Sequence, residues 1–164
     1  MELLKLAAFD AEDLQVLSAH MQDAVIRVGD ICYLPREKRF AFLANRFNWL
    51  SVTDGSGRGD SGQFERRRTA VHFERVLRAQ CTRIRQDAKD AVLELLAVHF
   101  EETTPPGGWI TLVCAGGGMI RLEVECIEAA MADLGPAWST KTCPCHPLED
   151  ALPAEEAAVA SAKA

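Results

Sequence analysis

The chain is poor in most of the features that announce a function. Its 164 residues include one tyrosine and three tryptophans, and aromatic residues make up 7%. That leaves few rings on which nucleobases could stack. No apolar run approaches the roughly 20 residues a membrane-spanning helix needs. The opening MELLKLAAFD has no basic stretch ahead of a long apolar one. A secretory leader is therefore not expected, and the chain reads as soluble and cytoplasmic. There is no nucleophile elbow, no dinucleotide fingerprint and no carboxylate pair in a recognisable motif. The expectation leans away from an enzyme and foresees no cofactor. Enzyme status stays open, because catalytic sites assemble from residues distant in sequence.

Apolar residues are plentiful at 48%, enough for a sizeable core in one domain. ELLKLAAF reads as a first strand. Asp10 is a good helix N-cap, followed by acidic Glu12 and Asp13, and the helix dipole favours negative charge there. Leu14, Leu17, Met21 and Ala24 then form an apolar stripe, with His20 at its boundary. VIRVGDICYL and RFAFLANRFNWL flank the turn signal PREK, which predicts a hairpin with a bulge at Gly29-Asp30. SVTDGSGRGDSGQ is a loop. Its Arg-Gly-Asp at 58–60 has no extracellular context to make it an adhesion motif. Residues 69–84 fit helix or strand. The extended reading is preferred, with Val71, Phe73, Leu77, Ala79 and Cys81 inward after a bulge. AVLELLAVHFEE, WITLVCA and MIRLEVECI read as further strands. GGG between the last two predicts a glycine hairpin rather than a phosphate cradle, because no helix follows it. Ile127, Met131 and Leu134 suggest a closing helix stopped by Gly135 and Pro136.

The expected fold class is α+β. It is a strongly bent antiparallel sheet, or half-open small barrel, of about six to seven strands, with an N-terminal helix and a C-terminal closing helix. The outline resembles pleckstrin-homology-like domains. Residues 1–138 form the domain. Residues 139–164, rich in Ala, Pro and Glu, are expected to be a disordered tail with a weak helix near 153–163. Four cysteines (Cys32, Cys81, Cys114, Cys126) lie in apolar segments and are expected to be small buried hydrophobes in a reducing compartment.

AVHFE occurs at 70–74 and again at 97–101. In a strand, both copies place Val and Phe on one face and Ala, His and Glu on the other. That is the pattern of a half-buried strand, and the unlike flanks argue against an internal duplication. A hairpin turning near 87 or 88 would leave His72 and His99 about two positions out of register. A His72/His99 site with Glu74 or Glu101 is thus a weak alternative. Cys143, Cys145 and His146 in TKTCPCHPLE are weak metal candidates, because a single residue separates the cysteines and three ligands fall short of a closed zinc site.

Charge is the most informative pattern. The formal net charge is −6, yet residues 58–89 hold nine of the eighteen basic side chains against four acids, a local balance of +5. Eight of the nine are arginine, whose planar fork suits phosphate and carboxylate. The expectation is a non-catalytic binding domain presenting Arg58, Arg66, Arg67, Arg68, Arg75 and Arg78 along one edge. Its partner would be an anionic protein segment or a phosphate-bearing ligand. Nucleic acid on the same surface is the weaker alternative, given the negative total charge. A metalloprotein or enzyme using the histidines or the Cys143 cluster is the other, and a homodimer is allowed.

DAEDLQVLSAHMQDAVIRVGDICYLPREKRFAFLANRFNW, RRRTAVHFERV and GGGMIRLEVECIEAAMADLG together resemble an uncharacterised bacterial family, domain of unknown function 2948. The resemblance runs from about residue 3 to 138. It implies a bacterial, stand-alone cytoplasmic protein and supplies no activity, cofactor or assigned residue.

Overall fold

The structure is a computed structural model that describes residues 3–49 and 64–140. Among these, Asp10 starts the single α-helix, α1 (Ala11–Met21), as its side chain accepts from the Asp13 amide at 2.8 Å. Leu14, Leu17 and Met21 point inward, as the spacing predicts. The preceding strand is β1 (Lys5–Ala8).

Every other regular segment of length is extended. β2 (Ala24–Arg27) leads through a 3₁₀ turn at Val28–Asp30 into β3 (Ile31–Leu34). β4 (Arg39–Phe47) pairs back on β3, giving the expected hairpin with a helical turn in place of the bulge. Then follow β5 (Phe64–Phe73), β6 (Val76–Thr82), β7 (Val92–Glu102), β8 (Gly108–Cys114), β9 (Met119–Val124) and β10 (Ala129–Thr140). Residues 69–82 are therefore extended, with a break at Glu74-Arg75, where Arg75 adopts φ 61°, and the run ends at Arg83 with φ 55°. β8 and β9 form the glycine hairpin, with Gly116 and Gly117 at φ 81° and 86°; glycine reaches that region at little steric cost.

The strands form one antiparallel sheet in the order β1-β10-β5-β4-β2-β7-β8-β9-β6, with β3 added beside β4. β1 and β6 end this path, and β3, paired only with β4, presents a further edge. The helix lies against β7, where Ser18 Oγ accepts from the Val98 amide at 2.9 Å. β2 pairs with β7 only as far as Leu95, so the serine occupies a donor that the sheet leaves over.

This corrects the expected architecture. Among the described residues there are ten strands rather than six or seven, the sheet is not closed into a barrel, and no C-terminal helix packs on it. The residues assigned to that helix are β10, a strand between β1 and β5 that extends past residue 138 to Thr140. Ile127, Ala129, Met131 and Asp133 are all buried, whereas Leu134 is exposed. The true period is two. It is hidden because its fourth member is a carboxylate, which a hydrophobicity pattern scores as exterior.

The core alternates regularly along each strand. β4 turns Phe40, Phe42 and Ala44 inward, and β5 turns Val71 and Phe73. β8 and β9 contribute Ile110, Leu112, Ile120 and Leu122. Phe42 and Phe73 meet at 6.5 Å between ring centroids. β6 does not follow the expectation: Leu77 and Cys81 are exposed and Val76 is buried. Arg75's left-handed turn resets the alternation between β5 and β6.

Candidate functional site

β5 carries Arg66, Arg67 and Arg68 in succession, so alternation sends them to opposite faces. Arg67 points into the protein and is 5% exposed. Arg66 and Arg68 lie on the outer face. The three guanidinium groups do not gather along one rim.

On the inner side, Arg67 sits opposite Arg46 of β4. Arg67 Nε donates to Glu65 Oε1 at 2.5 Å. Arg46 donates to Asp133 through Nε at 2.9 Å and Nη2 at 2.8 Å, a bidentate pair with both residues under 5% exposed. Thr69 Oγ1 donates to the same carboxylate at 2.8 Å, and the Leu4 amide at 3.0 Å. β10 bulges just beyond, where Gly135 at φ 101° lets two extra residues pass between the Asp133–Thr69 and Ala137–Arg67 pairs. Burial pushes the Asp133 carboxyl up. The hydrogen bonds from Arg46, Thr69 and Leu4 and the Arg46 charge outweigh this and hold it below the ordinary range.

His20, at the end of α1, is drawn into this cluster. Its Nδ1 is buried with no hydrogen-bond partner among the described residues. Burial and the Arg46 charge lower its pKa, with Asp133 acting in the opposite direction. A folded-state value below the unfolded 6.5 means that the unfolded chain takes the proton first. Stability is accordingly complete above about pH 6.5 and is lost as the pH falls through the folded-state value. Urea unfolding from pH 8 to pH 5 should show a decline that His20→Gln makes shallower. An identical pH slope in the variant would remove this assignment.

The outer face of β3, β4 and β5 holds a trough. Its middle, a cleft of about 480 Å³, is floored by Ala41, Leu43 and Ala70, with Cys32, Arg39 and His72 around it. A second cleft of about 260 Å³ adjoins it through Asp30 and Leu43 and is lined by Arg27, Asn45, Arg68 and Val92. Here Arg27 Nε lies 3.6 Å and Arg68 Nη2 3.7 Å from Asp30 Oδ2. Both distances exceed a good hydrogen bond. Arg68 Nη1 also faces Asn45 Oδ1 at 3.4 Å. The opposite end, past Arg39 and His72, is closed by charge pairs: Arg39–Glu74 at 2.6 Å, with His72 Nδ1 at 3.1 Å from the same glutamate.

The remaining arginines of the expected edge are dispersed. Arg66 reaches the backbone carbonyls of Asp23 and Asn45 at 3.4 and 3.3 Å and lies over Phe47. Arg75 pairs with Glu128, and Arg78 with Glu123 while stacking on Trp109. Arg58 and its Arg-Gly-Asp lie outside the described residues. Arg27, which completes the cleft with Arg68, lies outside the basic segment. Only pairing of β2 beside β4 brings the two together.

A family model described as a protein of unknown function, DUF2948, matches residues 4–146. The chain belongs to the DUF2948 family. No curated protein and no solved structure matches it. The DUF2948 match extends past residue 138, where the resemblance had been placed to end, and takes in Cys143, Cys145 and His146. These three metal candidates and the expected tail beyond Thr140 lie outside the described residues.

The two AVHFE copies of this DUF2948 chain fall in β5 and β7, both strands, as their pattern predicts. They do not form a hairpin with each other. β4 and β2 lie between them in the sheet, so His72 and His99 are kept apart. Among the described residues, no three His, Cys, Asp or Glu side chains lie close enough to hold a metal. The cysteines need correction: all four are free, but only Cys114 is buried, Cys126 is half-buried, and Cys32 and Cys81 are exposed. Burial pushes the Cys114 thiol up to about 11, which suits a core residue and not a nucleophile. Among the described residues no helix is long and apolar enough to cross a membrane.

Proposed function

We propose that this DUF2948 chain is a non-catalytic binding domain that takes an anionic group, carboxylate or phosphate, in the cleft between Arg27 and Arg68. The observation that carries this is the loose sharing of one carboxylate, Asp30, by two guanidinium groups that partly face solvent. An incoming anion meets two cations and one acid there, with donors already held near the required geometry by the sheet. Arg66, Arg67, Arg75 and Arg78 of the basic segment are committed to carboxylates or backbone at shorter range, while Arg85 faces only Asp87 of its own exposed turn. The nucleic-acid alternative has less support, because Trp109, a half-buried ring, is already covered by Arg78 and Arg121 at 5.2 and 4.4 Å. Four free cysteines accord with a reducing cytoplasm, and the family resemblance with a bacterial one.

The test is titration of the protein with inorganic phosphate and with N-acetyl-aspartate, followed by amide chemical shifts at low and at physiological salt. Arg68→Ala should weaken both by about tenfold or more, the scale of one charged hydrogen-bonding group. Asp30→Asn should tighten both, and Arg78→Ala should leave them unchanged. Equal affinity for Arg68→Ala and the native chain would sink the proposal.

A further inference from the structure

The anion cleft does not stand alone. It opens onto a floor built from small and aliphatic residues, Ala41, Leu43 and Ala70. Outward-facing side chains on β5 run from Arg68 to Ala70 to His72. At about 3.4 Å per residue, that is roughly 7 Å from cation to floor and 14 Å overall. A phosphate ion would use one end of this trough and leave the rest wet. An extended polypeptide matches its repeat: side chains two positions apart point the same way with the same 7 Å spacing. The alanines leave room above the sheet for a bulky apolar side chain. Arg27 and Arg68 outweigh the Asp30 they share and leave one end positive, and the paired Arg39 and Glu74, with His72 Nδ1 beside the same glutamate, close the other.

We infer that the trough docks an extended protein segment carrying an acidic residue and a bulky apolar residue two positions apart. The acid seats against Arg27 and Arg68 and the apolar side chain on Ala41, Leu43 and Ala70. This rests on the anion reading and adds the identity of the occupant. Charge complementarity supplies the acid, and the volume over the floor supplies its apolar neighbour. Binding lies along the outer face, so the strand edges stay free.

The experiment is selection of a randomised octapeptide display library on the full chain, with winners synthesised and measured by fluorescence polarisation. Winners should be enriched in Asp or Glu with Leu, Ile, Met or Phe two positions away. Their affinity should drop at least tenfold in Arg68→Ala and again in Ala70→Phe, which fills the floor. Leu43→Ser, which removes apolar surface without adding bulk, should weaken them in the same direction if Ala70→Phe perturbs folding. Inorganic phosphate should respond to Arg68→Ala and to neither floor variant. Winners with no spaced acid–apolar pair, or winners indifferent to both floor variants, overturn the docked segment. If phosphate still depends on Arg68 in that case, the anion cleft survives. If neither probe depends on Arg68, both readings fall.

Discussion

Asp133→Ala should cost about 3–5 kcal/mol of folding stability, the range for removing one partner of a buried ion pair. The carboxylate takes four hydrogen bonds: two from Arg46, one from Thr69 and one from the Leu4 amide. Truncation leaves the Arg46 charge in the interior without its counterion, and Arg46 is only 1% exposed. Arg46 Nη1 is already buried without a partner among the described residues, so the loss of Asp133 would leave the guanidinium with none of its described hydrogen bonds. The loss would consume a large share of the 5–15 kcal/mol typical of a domain. The double variant Arg46→Met with Asp133→Leu should recover most of it, because an apolar pair avoids the desolvation cost. Urea denaturation of the native chain, both single variants and the double variant measures the coupling directly. A loss below about 1 kcal/mol for Asp133→Ala, a scale typical of exposed pairs, would mean that the pair is not shielded from water as described.

Phe73→Ala should cost about 3–5 kcal/mol, the range for emptying a core aromatic site, while Phe100→Ala should cost clearly less. The two residues occupy the same place in the repeated pentapeptide. Phe73 is fully buried on β5, between β4 and β10, within 6.5 Å of the Phe42 ring. Phe100 is half-buried towards the end of β7, with its ring over Gly108, where a Cβ would stand 2.7 Å from it. Its truncation opens onto solvent and leaves less of a cavity. Thermal unfolding of both variants separates the roles. Equal losses would show that burial in the sheet is not what distinguishes the copies.

Much of the local structure was legible in the order of residues. Asp10 and the stripe Leu14, Leu17, Met21 mark α1 because capping and amphipathic spacing act within a few residues. Extended character at 70–74 and 97–101, the PREK hairpin and the GGG hairpin follow from alternation and turn chemistry, which are equally local. β10 was misread because Asp133 occupies a core position. A buried carboxylate is tolerable only with Arg46, 87 residues away, and no window of sequence contains both.

The candidate site divides along the same line. An excess of arginine between residues 58 and 89 is a property of the sequence, and so is the suitability of guanidinium for carboxylate or phosphate. Which arginines face outward, and which are spent on internal partners, depended on strand pairing. The order β5-β4-β2 placed Arg68 beside Arg27 and turned Arg67 inward against Glu65. The order of residues determined that this chain carries concentrated positive charge within an acidic whole. Only the folded sheet decided where that charge is left open, because contacts between strands distant in sequence satisfy or release each side chain.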